Sequence, residues 1–374
     1  MSLIELEKIG IMGGGLNSAL LCLEAKKKGI KTTIVDEDMY CPAANIADEH
    51  LVAPLNEESL LKLTHRVDAV VFTKKLNRLS DYGVLLQEGI PVYPDVELLE
   101  VLSSRQKFLW KMEQNDIAIA PYKKLQDELG VFEELKNKDL PVSITQYYKD
   151  ISGPREYQEL IIETEEDVVD LLMIRNDEID YWLLEERAQN MTELSIAVTR
   201  DIKNKVYTYS ISEDIYEKDK WIKSYIPARI TKTLQNKATS LARRVIRTLE
   251  GVGAFTVKLS LTKDKELYVK EVLPYPIANA VYTNESCTIS QYDHWIRVMQ
   301  DMPLFSSEFN GVTFVNVEHK SEVEEINDTS QFLTKVGSNL YSFKGKLIND
   351  RTLLYTFVAD TWVELEKNIR EVLL

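Results

Sequence analysis

One stretch in the second half of the chain carries charged side chains at spacings that suit phosphate chemistry. Residues 250–291 contain two apolar runs, Ala254–Leu261 and Glu266–Val272, which flank a charged turn and predict a β-hairpin followed by a Pro-rich loop. A hairpin of this kind can present carboxylates that bridge Mg²⁺ to the phosphates of a nucleotide. Glu271 on the second run is such an acid, but the first run carries Lys258 where an acid is expected. The stretch therefore predicts a nucleotide site that keeps a single acid.

The N-terminal residues contain a second pattern that can hold an anion. A buried strand at 8–12 is followed by Gly13-Gly14-Gly15, a helix, and a second strand that ends at Asp36. Strand, glycine turn, helix, strand and acid form the opening of a Rossmann-like unit, in which backbone amides can approach a phosphate. The full G-x-G-x-x-G pattern is absent, and a tight turn that requires positive φ explains any one of these glycines equally well.

The rest of the chain predicts further elements around these two sites. Strands at Val67–Phe72 and Ile90–Tyr93 complete a small parallel sheet, and one helix spans Val96–Gln114. The central part predicts strands at 141–146, 159–163, 181–186, 193–200 and 206–212 and helices at 165–175 and 231–249. The last part predicts strands at 311–317, 337–343 and 353–358 and a helix at 361–372. The fold class is therefore α/β followed by α+β.

Composition limits the classes of partner. The 374 residues carry a formal net charge of −15 with a pI near 5.0, which argues against nucleic acid or an anionic membrane as a bulk partner. No apolar run reaches the length of a membrane span, and no signal-peptide pattern is present. The three cysteines and four histidines show no metal-ligand spacing. We therefore expect a cytoplasmic protein that binds small molecules.

Several motifs together resemble one enzyme family. They are IGIMGGG with TTIVDEDMYCPAANIADEH, then GIPVYPDVELLEVLSSRQKFLWKMEQNDIAIAPY, and the closing set IPARI, LEGVGAFTV, LYVKEVLPYP, CTISQYDH and LYSFKGK. Over nearly the whole length the chain resembles the 5-(carboxyamino)imidazole ribonucleotide synthase (PurK) family of ATP-grasp ligases. The resemblance implies a Rossmann-like domain at 1–100, an ATP-grasp domain at 101–304 and a small β-rich domain at 305–374.

The resemblance also implies a reaction and its ligands. The family uses ATP and Mg²⁺ to join bicarbonate to aminoimidazole ribonucleotide in purine biosynthesis, and it tends to dimerise. Arg105, Glu185 and Glu193 match nucleotide-contacting positions, and Glu271 matches a metal-binding acid that serves the nucleotide. The implied substrate-binding residues are Gly14, Gly15, Asp36 and Arg351. A solvated arginine or a surface carboxylate explains Arg105, Glu185 or Glu193 about as well, and the same holds for Glu213, which matches another family acid.

The chain departs from the family pattern at the positions that carry chemistry. Thr145 replaces a lysine, Lys258 replaces a metal-binding acid, and Lys270 replaces an asparagine. The glycine-rich lid keeps only Gly153 beside Pro154. Further departures stand at Lys74, Lys75, Tyr216, Tyr275, Ile277, Ala278, Val281 and Thr352. We therefore expect the family's carboxylation to be impaired. The alternatives are a catalytically silent paralogue that binds a nucleotide or metabolite, and a ligase with a shifted substrate.

Overall fold

The computed structural model divides into two compact units. The first unit comprises Met1–Glu100, Glu193–Leu259 and Glu271–Leu374, and the second comprises Val101–Thr192 and Ser260–Lys270. The residues that the structure describes are 5–74, 76, 82–136, 140–148, 155–164, 166–168, 171, 179–186, 191–217, 220–320, 337–344 and 351–373. No helix in this described part is both long and apolar enough to span a membrane.

A parallel sheet opens the first unit. Its described strands are β1 (Lys8–Met12), β2 (Lys31–Asp36), β3 (Glu49–Val52), β4 (Ala69–Phe72) and β5 (Val92–Tyr93). They lie in the order β3-β2-β1-β4-β5, and all neighbours pair in parallel. Helices α1 (Leu16–Lys27), α2 (Glu57–Thr64), α3 (Gly83–Glu88) and α4 (Val96–Ser103) alternate with them along the chain. Strands β1, β2 and β4 are almost fully buried, as parallel strands covered on both faces are. The predicted Rossmann-like fold is confirmed, with β3 as a strand the sequence did not predict.

A larger sheet of eight described strands is formed by residues 192–359. Its described strands are β10 (Thr192–Arg200), β11 (Val206–Glu217), β12 (Lys220–Ile226), β13 (Gly253–Leu261), β14 (Leu267–Leu273), β15 (Val312–Lys320), β16 (Ser338–Lys344) and β17 (Arg351–Ala359). They lie in the order β14-β13-β10-β11-β12-β15-β17-β16. Pairing is antiparallel from β10 through β12, β15 and β17 to β16. The predicted hairpins and the predicted C-terminal strands are confirmed.

Four described helices accompany this sheet: α7 (Lys232–Leu249), α8 (Tyr282–Ser286), α9 (Gln291–Met299) and α10 (Trp362–Leu373). Helix α7 buries Leu234, Ala238, Ala242 and Val245, which recur every three or four residues and form its apolar face. Tyr292 and Trp295 of α9 have no exposed surface and join the main core.

The second unit contains a four-stranded antiparallel sheet in its described part. Its strands are β6 (Tyr122–Leu125), β7 (Val142–Tyr148), β8 (Arg155–Ile162) and β9 (Ile179–Glu186), in the order β6-β9-β7-β8. Helices α5 (Arg105–Glu113) and α6 (Glu128–Lys136) belong to the same unit. Ile144, Leu184 and Trp182 are buried in its core. The predicted α+β fold is confirmed, whereas the division into three domains stays a prediction.

The single helix predicted over Val96–Gln114 is wrong. Ser104 adopts φ −109° and ψ 111°, which separates α4 from α5. Its hydroxyl accepts a hydrogen bond from the amide of Lys107 at 3.4 Å, so Ser104 caps α5. A serine's preference for this position outweighed the continuous apolar period of the sequence. The predicted helix at 165–175 lies for the most part outside the described residues, as do Lys75 and the lid residues Gly153 and Pro154.

Candidate functional site

The hairpin of β13 and β14 brings Lys258 and Glu271 together. The Lys258 Nζ lies 2.8 Å from the Glu271 Oε1, and the two side chains are 18% and 32% exposed. Lys258 is the one residue of β13 that is not buried. Burial alone would lower the pKa of Lys258, but the Glu271 carboxylate raises it above its ordinary value. The site therefore holds a charged ammonium–carboxylate pair.

Two tyrosines extend this pair. The side chain of Tyr216 on β11 lies beside Lys258, with the ammonium 5.7 Å from the centre of its ring. Burial raises the pKa of Tyr216 to about 12, and burial together with the Glu271 charge raises that of Tyr275 to about 12. Both hydroxyls are therefore neutral at physiological pH. The cluster Lys258–Glu271–Tyr216–Tyr275 is called the lysine cluster below.

The lysine cluster does not fit the divalent metal that the family resemblance implies. One oxygen of Glu271 already binds the Lys258 ammonium, which repels a second cation at the same place. Mg²⁺ requires several oxygen ligands in octahedral geometry. The described residues contain no group of three or more His, Cys, Asp or Glu side chains that could hold a metal ion.

A buried acid network lies on the strands beside the cluster. Asp214 on β11 pairs in register with Glu193 on β10, another residue that the sequence assigned to the nucleotide. The Asp214 Oδ1 accepts hydrogen bonds from the Ser224 hydroxyl at 2.6 Å and from the Asn279 Nδ2 at 2.8 Å. Burial raises the pKa of Asp214. Sequence reasoning missed Asp214 and Asn279, although Asp214 lies two residues before Tyr216 and the period of two along a strand could have found it.

Glu213, next to Asp214 in the chain, forms an ion pair with Arg229. Its carboxylate accepts hydrogen bonds from the Arg229 backbone amide at 3.1 Å and from the Arg229 Nη2 at 2.7 Å. Burial alone would raise the pKa of Glu213, but the guanidinium lowers it below its ordinary value. The geometry gives Glu213 a structural role at the start of the segment that leads into α7.

The second unit pairs two of the predicted nucleotide ligands with each other. The Arg105 Nε donates to the Glu185 Oε1 at 2.8 Å, and the Arg105 Nη2 donates to the other carboxylate oxygen. The Arg105 Nη1 donates to the carbonyl of Lys270. Glu185 is buried on β9, and Thr145, at the family's lysine position, is buried on β7. Arg105 and Glu185 are thus brought together, within the unit that contains both.

The glycine turn of the first unit brings together three of the predicted substrate-binding residues. The Gly14 amide donates to the Asp36 Oδ2 at 2.8 Å, and Gly15 precedes the first residue of α1. A Cβ on Gly14 would lie 2.2 Å from the Cys41 sulfur, so close packing requires glycine there. The Gly14 amide therefore already donates its hydrogen bond to Asp36, and a ligand anion at this turn would compete with that carboxylate for it. Arg351 is the first residue of β17, and its side chain lies outside the described residues.

The loop after Glu271 turns inward. Residues Ala278–Val281 form a short 3₁₀ turn, and Val281 has no exposed surface. The Asn279 Nδ2 lies within 3.1 Å of the hydroxyls of Ser195 and Ser212, so this side chain ties the loop to the sheet. The loop therefore packs Val281 into the core where the family resemblance places an imidazole.

Comparisons with known proteins agree with this architecture. Residues 6–103 match the ribonucleotide synthetase preATP-grasp domain and residues 111–292 match the ATP-grasp domain. The chain is 27% identical over 303 residues to the N5-carboxyaminoimidazole ribonucleotide synthase of Bacillus subtilis, covering 79% of this chain and 77% of the relative. It is 26% identical to a phosphoribosylaminoimidazole carboxylase of Ogataea methanolica, of which it spans 55%.

Solved structures share the fold over almost the full length. The N5-carboxyaminoimidazole ribonucleotide synthetase of Thermotoga maritima aligns with a TM-score of 0.78 at 25% identity, covering 98% of this chain and 97% of that one. An Aspergillus clavatus synthase in complex with ADP and 5-aminoimidazole ribonucleotide aligns with a TM-score of 0.82 at 19% identity, with coverage of 98% and 97%.

Proposed function

Because the chain belongs to the N5-carboxyaminoimidazole ribonucleotide synthase family of ATP-grasp proteins, we propose that it binds an adenine nucleotide and performs the family's ATP-dependent carboxylation of 5-aminoimidazole ribonucleotide at a much reduced rate. The nucleotide contacts proposed are Arg105, Glu185, Glu193 and Glu271, and the substrate contacts proposed are Gly14, Gly15, Asp36 and Arg351. By family resemblance the protein acts as a cytoplasmic homodimer.

The observation that carries the reduced rate is the ion pair of Lys258 with Glu271 at 2.8 Å. The reaction transfers a phosphoryl group, and its transition state is stabilised by cations that bridge phosphate oxygens. A single ammonium held by a carboxylate lacks the several coordination positions of a metal ion. Loss of one transition-state cation slows comparable phosphoryl transfers by factors on the order of 10³–10⁵.

The test compares turnover with that of a relative. The full chain and the Bacillus subtilis protein receive ATP, Mg²⁺, bicarbonate and 5-aminoimidazole ribonucleotide, and ADP release is measured. We expect turnover by this chain to be at least about 10³-fold lower than that of the relative. The remaining turnover should depend on both bicarbonate and the ribonucleotide. Turnover equal to that of the relative would contradict the impairment. ADP release without any stimulation by the ribonucleotide would contradict the assigned acceptor.

A second candidate is a protein that binds the nucleotide or a metabolite without carboxylation, or a ligase with another acceptor. The loop that follows Glu271 favours this second candidate. Val281 in that loop is fully buried, and Tyr275 and Ile277 supply no cation for a phosphorylated imidazole. Calorimetric titration of 5-aminoimidazole ribonucleotide separates the candidates. Saturable binding supports the carboxylase, whereas nucleotide binding without ribonucleotide binding supports the second candidate.

A further inference from the structure

The substitution at position 258 changes the charge of the site by two units. The family resemblance places a metal-binding acid at this position, and the chain has Lys258 instead. Exchanging a carboxylate for an ammonium adds the same charge that one divalent cation brings. The pair of Lys258 and Glu271 is therefore neutral without any metal, just as two carboxylates with one divalent ion would be.

The ammonium also keeps a hydrogen-bond donor available. A lysine ammonium has three N–H donors. One faces the Glu271 Oε1 at 2.8 Å, and the Tyr216 ring lies beside the ammonium, with its centre 5.7 Å away. Among the described residues no other carboxylate pairs with this ammonium. The side chain is 18% exposed, so a remaining donor can reach an incoming oxygen without breaking the ion pair.

The surrounding side chains hold the ammonium in place. Glu271 on the adjacent strand β14 pairs with the ammonium, and the ring of Tyr216, on β11 beyond β10, lies beside it. The flanking residues of β13, Val257 and Leu259, are fully buried. A fixed ammonium of this kind binds a phosphate oxygen as a point charge, as lysines of phosphate sites do. A divalent cation entering the same place would have to displace it from Glu271 against the repulsion of like charges.

We propose that Lys258 takes the place of the divalent cation, so that this chain binds the phosphates of its nucleotide without Mg²⁺. The inference rests on the proposed nucleotide binding and specifies its ion requirement. It assigns to Lys258 a direct contact with a phosphate oxygen, made by an N–H donor that the ion pair with Glu271 leaves available.

The test is calorimetric titration of the full chain with ADP, once with EDTA and once with excess Mg²⁺. We expect the two dissociation constants to agree within about twofold. Lys258→Glu restores the family's acid, and its affinity for ADP should be at least about tenfold higher with Mg²⁺ than with EDTA. Lys258→Met should bind ADP at least about tenfold more weakly than the wild type under both conditions.

Two further variants separate this role from a structural one. Lys258→Arg keeps the charge and should retain binding that is independent of Mg²⁺. Lys232→Glu changes an exposed lysine at the start of α7 and should leave both dissociation constants unchanged. Thermal unfolding of each variant confirms that the chain is folded.

The outcomes distinguish this inference from the proposed function. Wild-type binding that requires Mg²⁺ would overturn the inference and leave the proposed function standing. Absence of ADP binding under both conditions would overturn both. Unchanged ADP affinity in Lys258→Met would overturn the assigned contact alone.

Discussion

His294 is a buried base with a hydrogen-bond partner in the core of the first unit. It has no exposed surface, and the Tyr209 hydroxyl lies 2.7 Å from its Nδ1. Burial lowers the pKa of His294 from 6.5 to about 4. Of its charged neighbours, Asp293 opposes this shift and Arg297 adds to it. The folded protein therefore keeps this imidazole neutral in a pH range where the unfolded chain binds a proton.

The buried neutral His294 should make the protein less stable in acid. The contribution of neutral His294 to the unfolding free energy is complete above pH 6.5. It is lost as the pH falls from 6.5 to about 4, because the unfolded state takes up the proton first. The loss of unfolding free energy should reach about 3 kcal/mol. Urea unfolding at pH 7.5 and 4.5 measures it, with His294→Gln as the comparison. An equal acid-induced loss in the variant would contradict the role of His294.

At the scale of elements, α7 shows how the chain fixes the end of a helix. The Thr231 hydroxyl accepts from the Leu234 amide at 3.4 Å at its start. At its end Glu250 adopts φ 62°, a left-handed conformation that favours glycine. Buried Arg200 donates its Nη1 to the carbonyls of Glu250 and Gly251 and its Nη2 to Asn204. These contacts satisfy the carbonyls of the C-cap residue and of the residue that follows it.

Glu250→Gly should stabilise the protein. The substitution removes the steric cost of a left-handed residue with a side chain and keeps the backbone carbonyl that Arg200 binds. We expect the unfolding free energy to rise by about 1 kcal/mol. Urea unfolding measures the change, and Glu250→Ala, which keeps the Cβ, is the matched control. A gain in the alanine variant equal to that in the glycine variant would contradict the conformational explanation.

At the scale of the whole molecule, the chain passes between its two units four times, at Glu100, Thr192, Leu259 and Lys270. Each unit has its own core, with Trp182 buried in the second and Trp295 in the first. Chains with more than one compact unit often unfold in more than one step. The pair of Arg105 and Glu185 lies within the second unit, so its loss should destabilise that unit specifically.

Arg105→Met tests this organisation. The Glu185 side chain is 9% exposed, and removing its partner leaves a buried carboxylate uncompensated. The second unit should lose about 3 kcal/mol. Hydrogen exchange should accelerate in peptides from β6, β7 and β9 and stay unchanged in β1, β2 and β4. Lys62→Met, which removes an exposed ion pair with Glu58, is the control and should alter neither set. Equal acceleration in both units would show that they unfold together.

Local patterns in the sequence were sufficient for most of the fold. Alternating and continuous apolar runs predicted the strands, and apolar residues every three or four positions predicted α7, because these periods reflect which face is buried. The single helix predicted over 96–114 failed at Ser104, where one capping residue separates two helices. The site residues came from motif resemblance, and Asp214 and Asn279 were missed because no motif marked them.

The sequence by itself determined most of the elements, the resemblance to a family and the positions at which that family's acids and lysines are exchanged. Only the tertiary structure decided which charges meet: Lys258 with Glu271, Arg105 with Glu185, and Asp214 with Asn279. The last two pairs join residues 80 and 65 positions apart. Such contacts depend on strand register and on how loops return to the sheet, whereas local periodicity reports only the buried face of each element. Lys258 therefore became interpretable as a fixed cation only once β13 and β14 were paired.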